Sequence, residues 1–504
     1  MKLAKIYKIT NEFELAYYED DISSQLVVRS LGKGKHFASH SRFNLMDDKG
    51  NLIKNMQIDK EVAQFIINNF EERGHTASFE VYKSDLEIGQ ITRKNVPVIS
   101  PSDVRHSITN AEKSFTATGD KLNFHWPIFE KYKNTGYGSI IRATLTLHQV
   151  CSSHCHYCST IARNKKDSIS LDEAKNFVNA LYNDQAEYNK NNFKEYNDKY
   201  KELTGTDIRL KSLILSGGGQ PNLWPHFEEF VEWLSTKDID LGLITNGFPK
   251  KINESVYENF DWVRISITPE DCSPHYPDNK FDKQYLPSTI IDNKTITVGY
   301  SYVYGPWTDD EILNRIDMSI TQNNFDYCRL LTDCNLSKSA QLKAHQGLAE
   351  RLFTLGYIDK NGVPLKKLFH QLKYHGDNSR ALKLWDDGQC QLQIYNVFWD
   401  TTGHDDKGWS HCYACDSVTV LAEEKSDHSI SVSERKFNSE KWGLVSNRDV
   451  KILYEEPVKP YFDPREICSA CLFMKNNETV KNLVNTEDYH KIIISSEIKH
   501  INFV

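Results

Sequence analysis

Three cysteines, Cys151, Cys155 and Cys158, lie within a stretch of eight residues. Thiolates are soft, charged donors that suit iron–sulfur clusters, and three of them would leave one iron of a four-iron cube without a protein ligand. Chemistry could take place at that open iron. The alternatives are a zinc knuckle or three unrelated thiols, although a zinc site usually needs a fourth ligand nearby and CxxC pairs.

The segments on either side of these cysteines predict a loop between a strand and a helix. Residues 140–147 alternate as a strand does, and a helical pattern covers residues 170–182. The cysteines follow the strand at once, so the sequence places them at its carboxyl end.

Strand-like and helix-like segments continue to alternate after the cysteines, as they do when helical crossovers join parallel strands. Six strands are predicted, at residues 141–146, 213–216, 241–245, 262–268, 295–304 and 327–331. Helices are predicted at residues 170–182, 226–235, 254–259, 309–321 and 338–355. Residues 182–206 are rich in Asn, Lys, Tyr and Glu, and we expect them to form an inserted, solvated helix or loop.

Short motifs lie at the carboxyl ends of the predicted strands, where parallel α/β barrels gather their functional groups. Residues 216–221 read Ser-Gly-Gly-Gly-Gln-Pro, and glycines such as Gly218 and Gly219 let the backbone approach a ligand closely. The third strand ends in a Thr-Asn-Gly sequence that contains Asn246, and the fourth strand contains Ser266. Taken singly, each motif could be an ordinary turn or strand residue.

In their order and spacing, these motifs resemble the radical S-adenosylmethionine (radical SAM) superfamily over about residues 142–335. The resemblance implies an α/β fold, a partial (βα)6 barrel. It also implies a [4Fe-4S] cluster on Cys151, Cys155 and Cys158, whose open iron chelates the amino and carboxylate groups of S-adenosylmethionine (SAM). Reduction would then cleave SAM to a 5'-deoxyadenosyl radical.

The same resemblance implies contacts between the protein and SAM. The residues concerned are Tyr157, Gly218, Gly219, Gln220, Asn246 and Ser266. Gln220 stands where the family usually has Glu in its Gly-Gly-Glu-Pro segment; its amide can accept a hydrogen bond from an ammonium but adds no charge. Ser266 would contact the ribose. Arg329, in the sixth strand, is a candidate donor to the SAM carboxylate, with a surface arginine as the alternative.

Two isolated cysteines, Cys272 and Cys334, follow the fourth and sixth predicted strands on the reactive side. A thiol in that position could donate a hydrogen atom to a substrate radical. The alternative is a small, partly buried cysteine without a chemical role. Cys328, within the sixth strand, is expected in the core.

The C-terminal region contains two CxxC pairs, Cys412 with Cys415 and Cys468 with Cys471, and Cys390 upstream of them. Two such pairs can close a four-thiolate metal site, and their spacing leaves zinc and an iron–sulfur cluster both open. The region resembles the SPASM or twitch extensions of radical SAM enzymes, but a full SPASM domain has seven cysteines. The expectation is therefore one second [4Fe-4S] cluster or one zinc ion, with Cys390 as a substitute ligand or as no ligand.

The composition is that of an ordinary globular protein, with 504 residues, 39% hydrophobic and 26% charged. The net charge of −8 gives no overall attraction to nucleic acid or an acidic membrane surface. No stretch has the length of a membrane span or the pattern of a signal peptide, which predicts a soluble cytoplasmic protein. In that compartment eleven cysteines indicate metal or redox chemistry rather than disulfides.

Three domains are predicted: a small α+β domain at residues 1–125, the partial barrel at residues 126–360, and a cysteine-rich metal domain at residues 361–504. In the first, strands are expected at residues 25–28 and 78–82 and a helix at residues 59–72.

The function expected is a radical SAM enzyme that abstracts hydrogen from a peptide or protein and receives electrons from a donor such as flavodoxin or ferredoxin. One alternative is radical SAM modification of a small metabolite or nucleoside. The other is a non-catalytic iron–sulfur or zinc protein that binds or senses redox state.

Overall fold

The computed structural model divides the chain into two compact units, Met1–Pro97 and Val98–Val504. The residues that it describes are 2–8, 13–19, 24–30, 41–46, 52–58, 110–116, 119–153, 155, 157–158, 165–247, 252–267, 296–305, 308–333, 338–359, 362–371, 389–400, 408–410, 449–459, 473–489, 492 and 498–504. No helix within these ranges is long and apolar enough to cross a membrane.

The first unit contains five antiparallel strands in its described part: β1 (Lys2–Lys8), β2 (Phe13–Glu19), β3 (Ser24–Ser30), β4 (Ser41–Met46) and β5 (Leu52–Ile58). They form a three-stranded sheet, β1-β2-β3, and a β4-β5 pair. The strand predicted at residues 25–28 lies within β3. The strand predicted at residues 78–82 and the helix at residues 59–72 lie outside the described residues.

The second unit is built on a nine-stranded sheet in the order β12-β11-β10-β9-β8-β7-β6-β13-β14. Its strands are β6 (Arg142–Leu145), β7 (Ser212–Leu215), β8 (Asp240–Thr245), β9 (Trp262–Ser266), β10 (Thr297–Tyr304), β11 (Tyr327–Thr332), β12 (Leu368–Gln371), β13 (Asn396–Asp400) and β14 (Gly408–Ser410). Every neighbouring pair is parallel except β13 and β14. The predicted α/β class is confirmed, and the six predicted strands are β6 to β11 in chain order.

Helices join these strands. Those described are α1 (Asn110–Phe115), α2 (Trp126–Thr135), α3 (Leu171–Asn179), α4 (Gln185–Asn192), α5 (Lys194–Thr204), α6 (Phe227–Leu234), α7 (Glu254–Tyr257), α8 (Asp310–Gln322), α9 (Lys338–Thr354), α10 (Ile452–Glu455) and α11 (Met474–Val484). Local signals fix where several of them begin. Ser170 and Glu173 form a capping box before α3, and the Asp309 carboxylate accepts a hydrogen bond from the Ile312 N–H at the start of α8.

The helical alternative expected at residues 182–206 is confirmed and many of its positions are exposed, but the segment is not solvated on every side. A π-helical turn (Ala180–Asp184), α4 and α5 occupy this stretch. Gln185 and Asn189 are fully buried, and the Gln185 amide both accepts from the Ile140 N–H (2.7 Å) and donates to the Ile140 carbonyl (2.9 Å). Polar side chains are therefore buried here because they satisfy backbone groups at the entrance to β6.

The strands β6 to β11 present one face to the helices. Alternate residues on that face, such as Leu213, Leu241, Val263 and Leu330, are buried in one apolar cluster with helix residues such as Phe230 and Ile316. The opposite face, called the inner face below, contains Arg142, Ile214, Gly242, Trp262, Arg264, Ser266, Gly299, Ser301, Tyr327 and Arg329.

Residues 498–504, called the C-terminal tail below, lie at the amino ends of these strands. The Ser212 hydroxyl donates to the Asn502 carbonyl (2.6 Å), and the Asn502 side chain donates to Asp240 (2.8 Å). The ring of Phe503 meets Trp262 edge to face at 5.3 Å. The tail thus packs against the inner face at the end opposite the cysteines.

Candidate functional site

The loop after β6 contains Cys151, Cys155 and Cys158 and is called the cysteine loop below. The glycine segment, residues 216–221, follows β7 and is hydrogen-bonded to this loop. The Gly219 N–H donates to the His148 carbonyl (3.0 Å) and the Gln220 N–H to the Val150 carbonyl (2.7 Å). The His148 ring returns a hydrogen bond from Nε2 to the Gln220 carbonyl (2.6 Å). The carboxyl ends of neighbouring parallel strands lie at the same edge of the sheet, so the loops that follow them are adjacent. Here backbone hydrogen bonds join the two loops.

The glycines permit this close approach. A Cβ atom on Gly219 would lie 2.2 Å from the Val150 carbonyl oxygen, which excludes any side chain at this position. Gly218 has φ +48°, in the left-handed region that favours glycine. The glycines predicted to admit a ligand therefore also admit the backbone of the cysteine loop.

Gln220 is buried (2% exposed) in a polar network at the ends of β7 and β8. Its Oε1 accepts from the Asn246 backbone N–H (3.0 Å), and its Nε2 donates to the Thr245 hydroxyl (2.5 Å) and to the Asn222 side-chain oxygen. The amide oxygen expected to meet the SAM ammonium thus already has one partner within the protein. A carbonyl oxygen has two lone pairs, so it retains capacity for a second.

Asn246 connects β8 to the cysteine loop. Its Nδ2 donates to the hydroxyl of Ser153 (2.7 Å) and to that of Ser152 (3.2 Å), both between the first two cysteines. The Thr-Asn-Gly motif, the glycine segment and the cysteine loop therefore form one hydrogen-bonded unit across three neighbouring strands.

The three cysteines are each partly exposed. Burial raises the pKa of Cys155 to about 12; a hydrogen bond with the Tyr157 side chain opposes this rise, and the sulfurs of Cys158 and Cys151 add to it. The three thiols are thus close enough to disfavour one another's negative charge. A bound cation reverses that preference, since it stabilises the thiolate form.

Among the described residues, no three His, Cys, Asp or Glu side chains form a group that could hold a single metal ion. Each thiolate of a cubane site ligates a different iron, so the three sulfurs need not converge on one point. Three soft donors on a loop anchored from two neighbouring strands fit the requirement for a [4Fe-4S] cluster with one open iron. Cys151, Cys155 and Cys158 are the residues that would hold it.

Ser266 and Arg329 lie farther along the sheet than the other predicted SAM contacts. Ser266 is the last residue of β9 and is paired with Ser301 of β10, which is paired in turn with Arg329 of β11. The structure thus brings Tyr157, Gly218, Gly219, Gln220 and Asn246 around the cysteine loop, and places Ser266 and Arg329 in one row on the inner face. Cys328 is buried in the apolar cluster on the opposite face, as expected.

The remaining predicted cysteines divide into two groups. Cys390 is buried beside Leu392 and Ile394, and its sulfur lies 3.7 Å from the Asn477 side-chain oxygen. The others lie outside the described residues: Cys272, Cys334, Cys412, Cys415, Cys468 and Cys471.

Sequence reasoning missed His148, Ser152, Ser153 and Asn222, which complete the network. The two serines lie within the cysteine motif and Asn222 follows the glycine segment, so their positions were a usable signal. The hydrogen-bond partners of these residues could not be predicted, because the partners lie on neighbouring strands that are distant in sequence.

No protein-family model matches this chain, and no curated protein matches it in sequence. Solved structures do resemble it. SuiB of Streptococcus suis bound to the precursor peptide SuiA is 10% identical, with a TM-score of 0.41 over 88% of this chain and 94% of SuiB. SuiB bound to S-adenosylmethionine is 11% identical, with a TM-score of 0.40 over 73% of this chain and 79% of that one. TYW1 with a lysine–pyruvate adduct bound is 15% identical, with a TM-score of 0.30 over 46% of this chain and 80% of that one.

Proposed function

We propose that this chain is a radical SAM enzyme whose [4Fe-4S] cluster is held by Cys151, Cys155 and Cys158. The observation that carries the proposal is the hydrogen-bonded unit formed by the cysteine loop, the glycine segment and the Thr-Asn-Gly motif. These are motifs on which the sequence resemblance rests, and they meet at the carboxyl ends of neighbouring parallel strands. When bound, the cluster supplies the electron that cleaves SAM.

In this proposal the protein's own residues position the cysteine loop and bind SAM. Asn246 holds the cysteine loop through Ser152 and Ser153, which limits the positions of the sulfurs. Gly219 keeps the loop close to the end of β7. Ser266, partly exposed at the end of β9, is the proposed ribose contact.

The proposed reaction is hydrogen abstraction from a peptide or protein, as in radical SAM enzymes with an auxiliary-cluster region. Cys412, Cys415, Cys468 and Cys471 are the proposed ligands of a second [4Fe-4S] cluster or of one zinc ion. Cys390 is left out of this set because its sulfur is buried in an apolar cluster beside Asn477. Electrons would come from a carrier such as flavodoxin or ferredoxin.

Anaerobic reconstitution tests the proposal. Iron, sulfide and zinc are measured in the wild-type protein and in a variant with Cys151, Cys155 and Cys158 all changed to Ala, together with dithionite-dependent formation of 5'-deoxyadenosine. About eight irons would indicate two cubane clusters, and about four irons with one zinc would indicate a zinc C-terminal site. The triple variant should lose the first cluster and all 5'-deoxyadenosine. A wild-type protein that binds no iron or never cleaves SAM would refute the proposal and favour a metal-stabilised binding protein.

Cys272 and Cys334 are proposed as hydrogen donors to a substrate radical. Substitution of either by Ala should then change the distribution of products while SAM cleavage continues, which chromatography of the reaction mixture would measure. Unchanged product profiles in both variants would rule out this role.

A further inference from the structure

Two arginines lie in adjacent rows of the inner face. The parallel register aligns Arg264 of β9 with Gly299 and Tyr327, and in the next row it aligns Ser266 with Ser301 and Arg329. Both arginines alternate with residues buried against the helices, Ile265 and Cys328 respectively. Two positive side chains are therefore carried into the interior of the sheet.

Arg264 is bonded to neutral groups. Its Nε donates to the Tyr327 hydroxyl (2.9 Å) and its Nη2 to the Phe115 carbonyl (3.0 Å), while the guanidinium lies 5.1 Å from the Trp262 ring. These contacts fix its position and occupy the Nε–Nη2 edge of its guanidinium. Within the described residues no carboxylate pairs with Arg264, so its positive charge is not neutralised.

In the described part of the chain, Arg329 has neither a hydrogen-bond acceptor nor a carboxylate as a partner. Its Nε is buried without a hydrogen-bond acceptor. Burial, and then the positive charge of Arg264, lower the pKa of Arg329 to about 9. Arg329 as a whole is partly exposed and its guanidinium remains charged at neutral pH, but burial of Nε without an acceptor is unfavourable unless a ligand supplies one.

Lys121 adds a further basic group, close to Arg142 and Arg264, that is partly protonated at neutral pH. The Lys121 ammonium donates to the Ser114 carbonyl (2.8 Å), and burial, followed by Arg142 and Arg264, lowers the pKa of Lys121 to about 7. Asp240 lies at the amino end of the inner face and bonds to Asn502, and no carboxylate is among the groups that shift the pKa of Arg329. The region around Arg329 is therefore complementary to an anion.

We propose that Arg329, with Arg264 behind it, binds a carboxylate group of the substrate. The Nε–Nη2 edge of Arg264 is already occupied by Tyr327 and Phe115, whereas the Nε of Arg329 has no acceptor, and the edge of one guanidinium matches one planar carboxylate. The inference rests on the proposed function and adds to it a chemical feature of the substrate. It applies equally to an acidic side chain or C-terminus of a peptide and to a small carboxylic acid.

The order of the strands favours the substrate over SAM as the source of this carboxylate. In the proposed function, the methionine end of SAM lies at the loops that follow β6 and β7. Arg329 is on β11, which is four strands from β7. At about 4.8 Å per strand, that separation is roughly 19 Å along the sheet. A second molecule that extends from the SAM ribose near Ser266 would reach Arg329 within the same row.

The first experiment measures carboxylate binding by the reconstituted protein without reductant. N-acetylglycine and its neutral analogue N-acetylglycinamide are compared at matched ionic strength by calorimetric titration and by thermal unfolding. The wild type should bind N-acetylglycine and be stabilised by it, and should not bind N-acetylglycinamide. Arg329→Gln should weaken that binding about 10- to 100-fold, the cost of losing a hydrogen bond to a charged group. Arg329→Lys, which keeps the charge, should be intermediate.

Arg315→Gln is the matched control, because Arg315 is exposed on α8; it should bind the carboxylate as the wild type does. No difference between N-acetylglycine and N-acetylglycinamide in the wild type would overturn the proposal even if Arg329→Gln failed to fold. Equal carboxylate binding by wild type and a folded Arg329→Gln protein would also overturn it.

The second experiment separates the two sources of carboxylate. Binding of SAM and of decarboxylated SAM is compared in the wild type and in Arg329→Gln. The preference of the wild type for SAM over decarboxylated SAM should persist in the variant. Loss of that preference would assign Arg329 to the cofactor and overturn the substrate assignment. Failure of the wild type to form 5'-deoxyadenosine would count against the proposed function, because carboxylate binding is measured without reduction.

Discussion

Asn246 joins the end of β8 to the cysteine loop through two serine hydroxyls. Asn246→Ala removes both hydrogen bonds, which together stabilise the loop by about 1–3 kcal/mol. We expect less iron per chain after reconstitution and correspondingly less 5'-deoxyadenosine, with a smaller change in the melting temperature. Asn259→Ala is the control, because Asn259 bonds only locally to the Ser255 and Val256 carbonyls among the described residues. Equal iron content in both variants would contradict this role.

The oxygen and the nitrogen of the Gln220 amide are both hydrogen-bonded, which makes a glutamate a poor replacement here. Gln220→Glu would lose the donor to Thr245 and place a carboxylate oxygen against the Asn222 oxygen, in a site that is 2% exposed. We expect a loss of about 1–3 kcal/mol in the free energy of unfolding at pH 7.

The pH dependence of Gln220→Glu has a definite sign. Burial and the missing donor favour the protonated acid, so the pKa of the new carboxyl should be higher in the folded than in the unfolded protein. Its destabilisation should then be smallest below the unfolded pKa of about 4.3 and grow as the pH rises above it. Urea unfolding of variant and wild type at pH 5 and pH 8 measures this; a difference independent of pH would contradict it.

The helices that connect β6 and β7 depend on buried amides. Gln185→Ala would leave the N–H and carbonyl of Ile140 without their partner, and we expect it to cost about 2–4 kcal/mol in the free energy of unfolding. Denaturant unfolding measures the effect. Asn191→Ala, at an exposed position of the same helix, should change the stability little. Equal effects from the two substitutions would show that the Gln185 contacts are not structural determinants.

Much of the sheet could be predicted, because the pattern of apolar residues within each segment is enough to identify most of its strands. The strands β6 to β11 alternate with helices, and apolar side chains recur on one face. β12 (Leu-Phe-His-Gln) shows no alternation of apolar and polar residues, and β13 (Asn-Val-Phe-Trp-Asp) gives no local indication that its partner is β6. The motif residues of the site were found in sequence, whereas the contacts of Gln220 and Asn246 depend on strands that meet only in the folded chain.

The C-terminal tail makes the stability of the whole second unit dependent on pH. Burial lowers the pKa of His500, which is bonded to Thr297, and the pKa of His125, which is bonded to the Ile501 carbonyl, each to about 4. Both rings are therefore neutral in the folded protein at pH 7. Their contribution to stability is complete above the unfolded pKa of about 6.5 and is lost as the pH falls toward 4.

We expect the free energy of unfolding to decrease between pH 7 and pH 5 by about 2–4 kcal/mol from these two histidines. Urea unfolding across this range measures the decrease. His500→Gln, which cannot take up a proton, should reduce the slope of stability against pH. Asn191→Ala, at an exposed position without a titratable group, is the control and should leave the slope unchanged. An unchanged slope in His500→Gln would contradict the assignment.

The pairing of β13 with β6 also has a consequence for the order of folding. The Arg142 side chain bonds to Asn396, 254 residues away, and four residue pairs align in the register between the two strands. Contacts between distant segments form late, because closing a long loop is entropically unfavourable. Until β13 pairs with it, β6 has one unpaired edge, and the strand that precedes the cysteine loop is open to association with other chains. The cysteine loop is therefore fixed in position late in folding. Iron should be taken up by chains in which β13 has already paired with β6.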